Sequence, residues 1–323
     1  MHSKISGMIK NMKIAFLFPG QGAQFVGMGK DVAGAFPAAA EIFKKANDIV
    51  GYDLSKICFN GSAEQLNTTT FSQPAIFTTS AAILEIFRTN PATGEIVPDI
   101  TAGLSMGEYT ALYAAGLISF EDGLRLVQKR GQAMQAAADT SSGSMVSIIG
   151  LDEEKVRHLC AEASEGEILA GVNFNCPGQI VISGSKTACE RAEKLAEKYG
   201  AMKAIRLEVA GAFHTKMMDS AAKALGEALA GCRIEEPSKI KVIANIDAEY
   251  YGTAKNIVQG LIKQLTCPIL WQKCMEHLLS EGVERYYEIG PGRVLTGLMK
   301  RIDRKIKVIN ISSLEALNAV LKT

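Results

Sequence analysis

Ile100-Thr101-Ala102-Gly103-Leu104-Ser105-Met106-Gly107-Glu108-Tyr109 is the stretch that decides the fold. A short apolar run, a serine bracketed by glycines and the helical stretch Glu108 to Ala115 read as a buried strand turning sharply into a helix. The Gly-x-Ser-x-Gly pattern alone is a weak signal, but here it stands where a strand-to-helix turn must be. Glycines permit a strained turn that lifts the serine Oγ out of the sheet edge. The start of the helix adds main-chain N–H groups and positive dipole for an oxyanion. On these features Ser105 reads as a nucleophile rather than an ordinary turn serine.

Outward from this stretch, strands and helices alternate. Ile14 to Phe18 is a continuous apolar run ending at Pro19-Gly20, Lys241 to Ile246 is a further strand, and Arg285 to Ile289 runs into Gly290-Pro291-Gly292 and a helix. Strands separated by helix-length segments predict a parallel, doubly wound sheet. The middle of the chain differs. Met145 to Ile149, Ile168 to Val172, Gln179 to Ser183 and Ala204 to Val209 read as strands, with helices at Glu153 to Ala163 and Thr187 to Lys198. That β-α-β-β-α-β order is a ferredoxin-like unit. The expected organisation is α/β, with one large discontinuous domain over 12–139 and 209–323 interrupted by a small one at 140–208. A cleft between them is the natural binding site.

The 323 residues carry 35 Lys+Arg against 34 Asp+Glu, a net charge of +1, which argues against a broadly basic nucleic-acid binder. With 47% hydrophobic and 21% charged residues and no apolar run near the ~20 residues of a membrane helix, a soluble protein is expected. The stretch Met1 to Lys13 carries scattered lysines and lacks a secretory h-region. Seven dispersed cysteines without Cys-x-x-Cys read as reduced, mostly buried thiols of a cytosolic protein. No metal-ligand spacing or Walker loop is present. Pro19-Gly20-Gln21-Gly22-Ala23-Gln24 invites a dinucleotide reading, but Phe25 stands where the third glycine would be needed.

A nucleophilic serine needs a base. Of four histidines, His2 lies in the N-terminal tail and His158 and His277 lie in helical patterns, while His214 follows a strand in Ala210-Gly211-Ala212-Phe213-His214. Its loop context suits a catalytic residue, and equally a hydrogen-bonded structural histidine. Arg130 falls on the apolar side of the helix Ser119 to Ala138. Either its head snorkels to water, or a carboxylate from the protein or a ligand must meet it, because a buried unpaired guanidinium costs several kcal/mol.

Six blocks in order, Pro19 to Gln24, Gly103 to Leu112, Gln128 to Gly131, Asn173 to Gln179, Gly211 to His214 and Glu288 to Gly292, resemble the malonyl-CoA:acyl carrier protein transacylase family. The resemblance runs from about Met12 to Ile311. It implies an α/β-hydrolase-like core with an inserted ferredoxin-like subdomain, and a ping-pong transfer of malonyl from malonyl-CoA to the phosphopantetheine thiol of acyl carrier protein. It makes Ser105 the acylated nucleophile, His214 the base and acid, and the main-chain N–H groups of Gln21 and Met106 the oxyanion hole. Arg130 becomes the partner of the malonyl carboxylate. The histidine would be oriented by a carbonyl of Pro268-Ile269-Leu270-Trp271, namely that of Leu270. Leu104 departs from the histidine that many members carry before the nucleophile, and Phe213 resembles the malonyl-selective form of its motif. Both are expected to border the substrate.

No bound cofactor or metal is implied, and a cytoplasmic monomer is expected. Two alternatives share these residues: an editing serine acyl hydrolase on the same fold, and a non-catalytic module that binds carrier proteins. Retention of Arg130 argues against the first, and the joint presence of Ser105, His214 and Arg130 against the second. Carriers present acidic helices, and Lys300, Arg301, Arg304, Lys305 and Lys307 form the densest basic cluster, a candidate docking patch or a solvated face.

Overall fold

The computed structural model describes residues 12–322. His2 and most of the tail to Lys13 therefore lie outside the described residues. Among the described residues nine strands form two sheets. β1 (Ile14–Phe18), β2 (Ile100–Gly103), β7 (Lys241–Val242), β8 (Arg285–Ile289) and β9 (Val308–Ile311) make a parallel sheet in the order β7-β2-β1-β8-β9. β3 (Gly143–Ile149), β4 (Leu169–Cys176), β5 (Gln179–Ser185) and β6 (Lys203–Arg206) make an antiparallel sheet in the order β4-β5-β3-β6.

The alternation along β1 shows why the large sheet is covered on both sides. Ile14, Phe16 and Phe18 join the core formed with the helix Thr69–Thr89, whereas Ala15 and Leu17 face Trp271, Cys274 and Leu278. Phe16 meets Phe87 and Tyr287 edge-on at centroid distances of 5.5 and 5.6 Å. A strand buried on both faces has no polar face to show, hence its unbroken apolar run. The small sheet is covered on both faces by different partners: Met145, Val172 and Val181 join the large core, and the opposite face has helices of its own. Val146, Ile148, Ile180 and Ile182 pack on Leu159 and Cys160 of the helix Glu153–Ser164 and on Cys189 and Ala192 of the helix Lys186–Leu195.

The expected β-α-β-β-α-β order is present, with adjusted ends. The second helix stops at Leu195, followed by a 3₁₀ turn at Glu197–Tyr199 and Gly200 at φ 89°. The strand expected over Ala204 to Val209 is Lys203–Arg206. In the large sheet the strand expected over Lys241 to Ile246 pairs only at Lys241–Val242. Beyond it Asn245 leaves the ladder, because its N–H goes to the Glu108 carboxylate at 3.0 Å and its C=O accepts from Leu270 N–H at 2.8 Å. The edge strand β9 has no counterpart in the sequence reading.

The two sheets meet at Pro268 to Trp271. Ile269 N–H donates to Val172 O at 2.7 Å, and Phe174 N–H to Ile269 O at 2.9 Å, so this segment pairs with the edge strand β4. All seven cysteines are free, five of them buried. Among the described residues no acid, histidine or cysteine cluster suits a metal ion, and no helix is long and apolar enough to cross a membrane.

Candidate active site

β2 delivers Ser105 as expected. Leu104 N–H donates to Phe18 O at 3.1 Å, Ser105 takes a φ of 51°, and the helix Gly107–Ala114 starts two residues later. A left-handed non-glycine residue stores strain that surrounding contacts must hold. They do so through the flanking glycines. A Cβ on Gly103 would stand 2.0 Å from Gly107 C and O, and one on Gly107 would stand 2.3 Å from Phe18 O. The Ser105 N–H is clamped by Asn245 Oδ1 at 2.7 Å, while Asn245 Nδ2 donates to Gly103 O at 2.8 Å.

His214 arrives from the opposite side, after the turn that follows β6, also in a left-handed conformation at φ 61°. Its Nε2 lies 3.0 Å from Ser105 Oγ, and its Nδ1 lies 2.7 Å from Gln264 O. A carbonyl can only accept, so Nδ1 carries the proton and the Nε2 lone pair faces the serine hydroxyl. The orienting carbonyl is thus that of Gln264, and the expectation of Leu270 is corrected. Leu270 O is taken by Cys274 N–H at 2.9 Å at the start of the helix Trp271–Ser280. Gln264 is the last residue of the helix Ala254–Gln264, where carbonyls lack an intrahelical donor. That helix end also places partial negative charge beside the ring.

Arg130 does not snorkel. It is 1% exposed, and its contacts are neutral: Nη1 donates to Gln73 Oε1 at 2.8 Å, and Nη2 to Gln264 Oε1 at 3.0 Å and to Ser105 Oγ at 2.9 Å. Its Nε has no partner, and among the described residues no carboxylate lies within ion-pair distance of it. The guanidinium also sits 5.7 Å from the Tyr109 ring centroid. Burial, and then the nearby Arg130 cation, push the pKa of His214 down to about 3, so the ring is neutral at physiological pH.

Gln21 lies on the loop after β1, where its Nε2 contacts Thr69 Oγ1 at 3.4 Å. Among the described residues neither the Gln21 N–H nor the Met106 N–H donates to a protein acceptor. Leu104 and Phe213 are 8% and 5% exposed, and sit in opposite cores: Leu104 beside Cys176 and Ile269, Phe213 in the cluster holding the helix Phe120–Asp139. Gln73, Asn245, Gln264 and Glu108 are the site residues that sequence reasoning missed. Their signal was weak: an acid one residue into an apolar helix, and amides inside otherwise apolar stretches.

Comparison with known proteins places the chain in a family. The family model described as acyl transferase domain matches residues 15–303. A malonyl CoA-acyl carrier protein transacylase of Bacillus subtilis is 43% identical over 312 residues, covering 96% of this chain and 97% of that protein. One from Escherichia coli K12 is 41% identical, covering 96% and 99%. Among solved structures, an acyl carrier protein S-malonyltransferase from Vibrio cholerae superposes with a TM-score of 0.90 at 40% identity, covering 95% of this chain and 99% of that one. A malonyl-transacylase solved in complex with a holo type II PKS acyl-carrier protein gives 0.91 at 39% identity, covering 96% and 99%. The chain belongs to the acyl transferase domain family, among the malonyl CoA-acyl carrier protein transacylases.

Proposed function

We propose that this enzyme transfers malonyl from malonyl-CoA to the phosphopantetheine thiol of acyl carrier protein through a malonyl ester on Ser105. The observation that carries the reading is Arg130, buried to 1% exposure, without a carboxylate partner and 2.9 Å from the nucleophile. A cation held there is completed by an acyl group that brings its own carboxylate, whereas acetyl or a longer alkyl chain leaves its charge unmatched.

His214 Nε2 takes the Ser105 proton as Oγ attacks the thioester carbon, and general base assistance of this kind contributes about 10²–10⁴-fold. The oxyanion is received by the N–H groups of Gln21 and Met106, each such donor being worth about 10²–10³ in kcat. The imidazolium returns the proton to the departing CoA sulfur. In the second half-reaction His214 deprotonates the pantetheine thiol, which attacks the malonyl ester, and Ser105 leaves with the proton. Arg130 serves the chemistry in a second way. The malonyl carboxylate neutralises the cation that helps hold His214 down, so the correct substrate raises the basicity of the base it needs.

Phe213 and Leu104 border the acyl group in this reading, and the small sheet, with its helices at about 140–208, forms one wall of the cleft. The enzyme works as a cytoplasmic monomer without a bound cofactor. Lys300, Arg301, Arg304, Lys305 and Lys307 are all exposed and form the patch that receives the acidic carrier. Intact-mass spectrometry after incubation with malonyl-CoA tests the reading: a malonyl adduct on the wild type and none on Ser105→Ala supports it. No adduct, or one that water clears as fast as it forms, refutes it.

A further inference from the structure

Glu108 follows the elbow by three residues and is fully buried, yet it meets no cation directly. Its Oε1 accepts from the Tyr251 hydroxyl, and its Oε2 from Asn245 N–H at 3.0 Å and Gln264 Nε2 at 2.9 Å. The buried cation of the site, Arg130, stands on the far side of the same Gln264 amide, donating to its Oε1 at 3.0 Å. The amide thus has a carboxylate at its NH₂ end and a guanidinium at its C=O end. Turned over, it would set oxygen against carboxylate and NH₂ against guanidinium, two repulsive contacts in a site closed to water. The guanidinium at one end and, above its pKa of about 7, the Glu108 anion at the other therefore fix the polarity of the amide, and Gln264 Nε2 also reaches Ser105 O at 3.1 Å.

A direct Glu–Arg pair would satisfy the guanidinium and oppose an incoming carboxylate. An anion one amide away supports the cation electrostatically and leaves Arg130 Nε unpartnered. We propose that Glu108 is a positioning residue for acyl selection: through the Gln264 amide it holds the Arg130 guanidinium beside Ser105 and supports its charge without occupying it. The inference rests on reading Arg130 as the site of the substrate carboxylate.

The test is the single-turnover rate of Ser105 acylation by malonyl-CoA and by acetyl-CoA. It is measured in the wild type, Glu108→Gln, Gln264→Met, the double variant and Arg130→Ala. Gln264→Met keeps the carbonyl that orients His214 and removes only the amide. Each single change at Glu108 or Gln264 should lower the malonyl-to-acetyl rate ratio at least tenfold, and the double variant should fall no further than the worse single one. Should Glu108→Gln lack a cooperative thermal melt, Glu108→Asp, one methylene too short to reach Gln264, should show the same loss. A Glu108→Gln or Glu108→Asp enzyme that slows both acyl groups by the same factor, or losses that multiply in the double variant, would mean that Glu108 merely props the elbow. Arg130→Ala losing the ratio while Glu108→Gln keeps it overturns the relay alone. Arg130→Ala keeping the ratio overturns the carboxylate reading, and the relay with it.

Discussion

Ser105 Oγ accepts a hydrogen bond from Arg130 and lies within hydrogen-bond distance of His214 Nε2, so one hydroxyl touches both the proposed selecting cation and the proposed base. Replacing Arg130 by Ala should lower acylation by malonyl-CoA by about 10²-fold or more while sparing acetyl-CoA, the loss expected when a charge-assisted partner is withdrawn from a dry site. Competition between the two thioesters reads this directly, and an unchanged preference would contradict it. His214 supplies a second prediction. Its folded-state pKa, depressed from 6.5 to about 3, means that the unfolded chain binds its proton first as pH falls. Stability contributed by the neutral ring is therefore present above pH 6.5 and is lost progressively towards pH 3, at up to about 1.4 kcal/mol per pH unit. Glu108, raised from 4.5 to about 7 by burial, acts with opposite sign, stabilising the fold as pH falls from 7 towards 4.5. His214→Gln should accordingly flatten the acid-side fall of Tm, and Glu108→Gln should steepen it; equal slopes in all three proteins would refute the assignment. Ser105 was legible from its glycine-flanked turn, whereas loop context and an apolar helix face only singled out His214 and Arg130, whose roles came from the family resemblance. Gln264 was not legible, since the function of its carbonyl comes from ending a helix rather than from its side chain.

The element that matters most is the strand–elbow–helix unit. Gly107 lies against Phe18 O, backbone against backbone, so Gly107→Ala cannot be absorbed by a side-chain rotation. Overpacking of this sort costs about 1–3 kcal/mol, and the displaced turn should cost acylation far more than stability. A thermal melt and an acylation assay on the same variant check both halves, and wild-type acylation would count against the elbow account. β1 could be read from the sequence because it is a short apolar run closed by Pro19-Gly20, and β8 because its aromatic residues run straight into Gly290-Pro291-Gly292. The short β7 could not: Ile243 to Ile246 look like more of the same strand, and what stops the ladder is a buried carboxylate 137 residues away taking the Asn245 N–H. β9 is hidden by the basic residues before it and by having only four residues, partly exposed along most of their length.

At the scale of the molecule, the proposed active site sits where two separately patterned sheets meet. The parallel sheet contributes Ser105, the helices around it contribute Arg130 and Gln264, and the chain leaving the small sheet contributes His214. The β-α-β-β-α-β signature was readable because each unit carries its own periodicity. The join was not, because Pro268 to Trp271 acts through main-chain pairing with β4 that no side-chain pattern announces. On the outer surface, Arg304→Glu combined with Lys305→Glu should raise the KM for acyl carrier protein several-fold and leave that for malonyl-CoA unchanged, with the effect shrinking at high salt. An unchanged KM would place the carrier elsewhere. The central claim, that a malonyl ester on Ser105 is an intermediate awaiting a thiol, is tested most directly by a chase. Malonyl-enzyme freed of malonyl-CoA is mixed with holo acyl carrier protein or with buffer, and both proteins are weighed over time. The account predicts that the enzyme returns to its unmodified mass as the carrier gains one malonyl, while the ester persists in buffer. Loss of the ester at the same rate with and without carrier, with no gain in carrier mass, would contradict it.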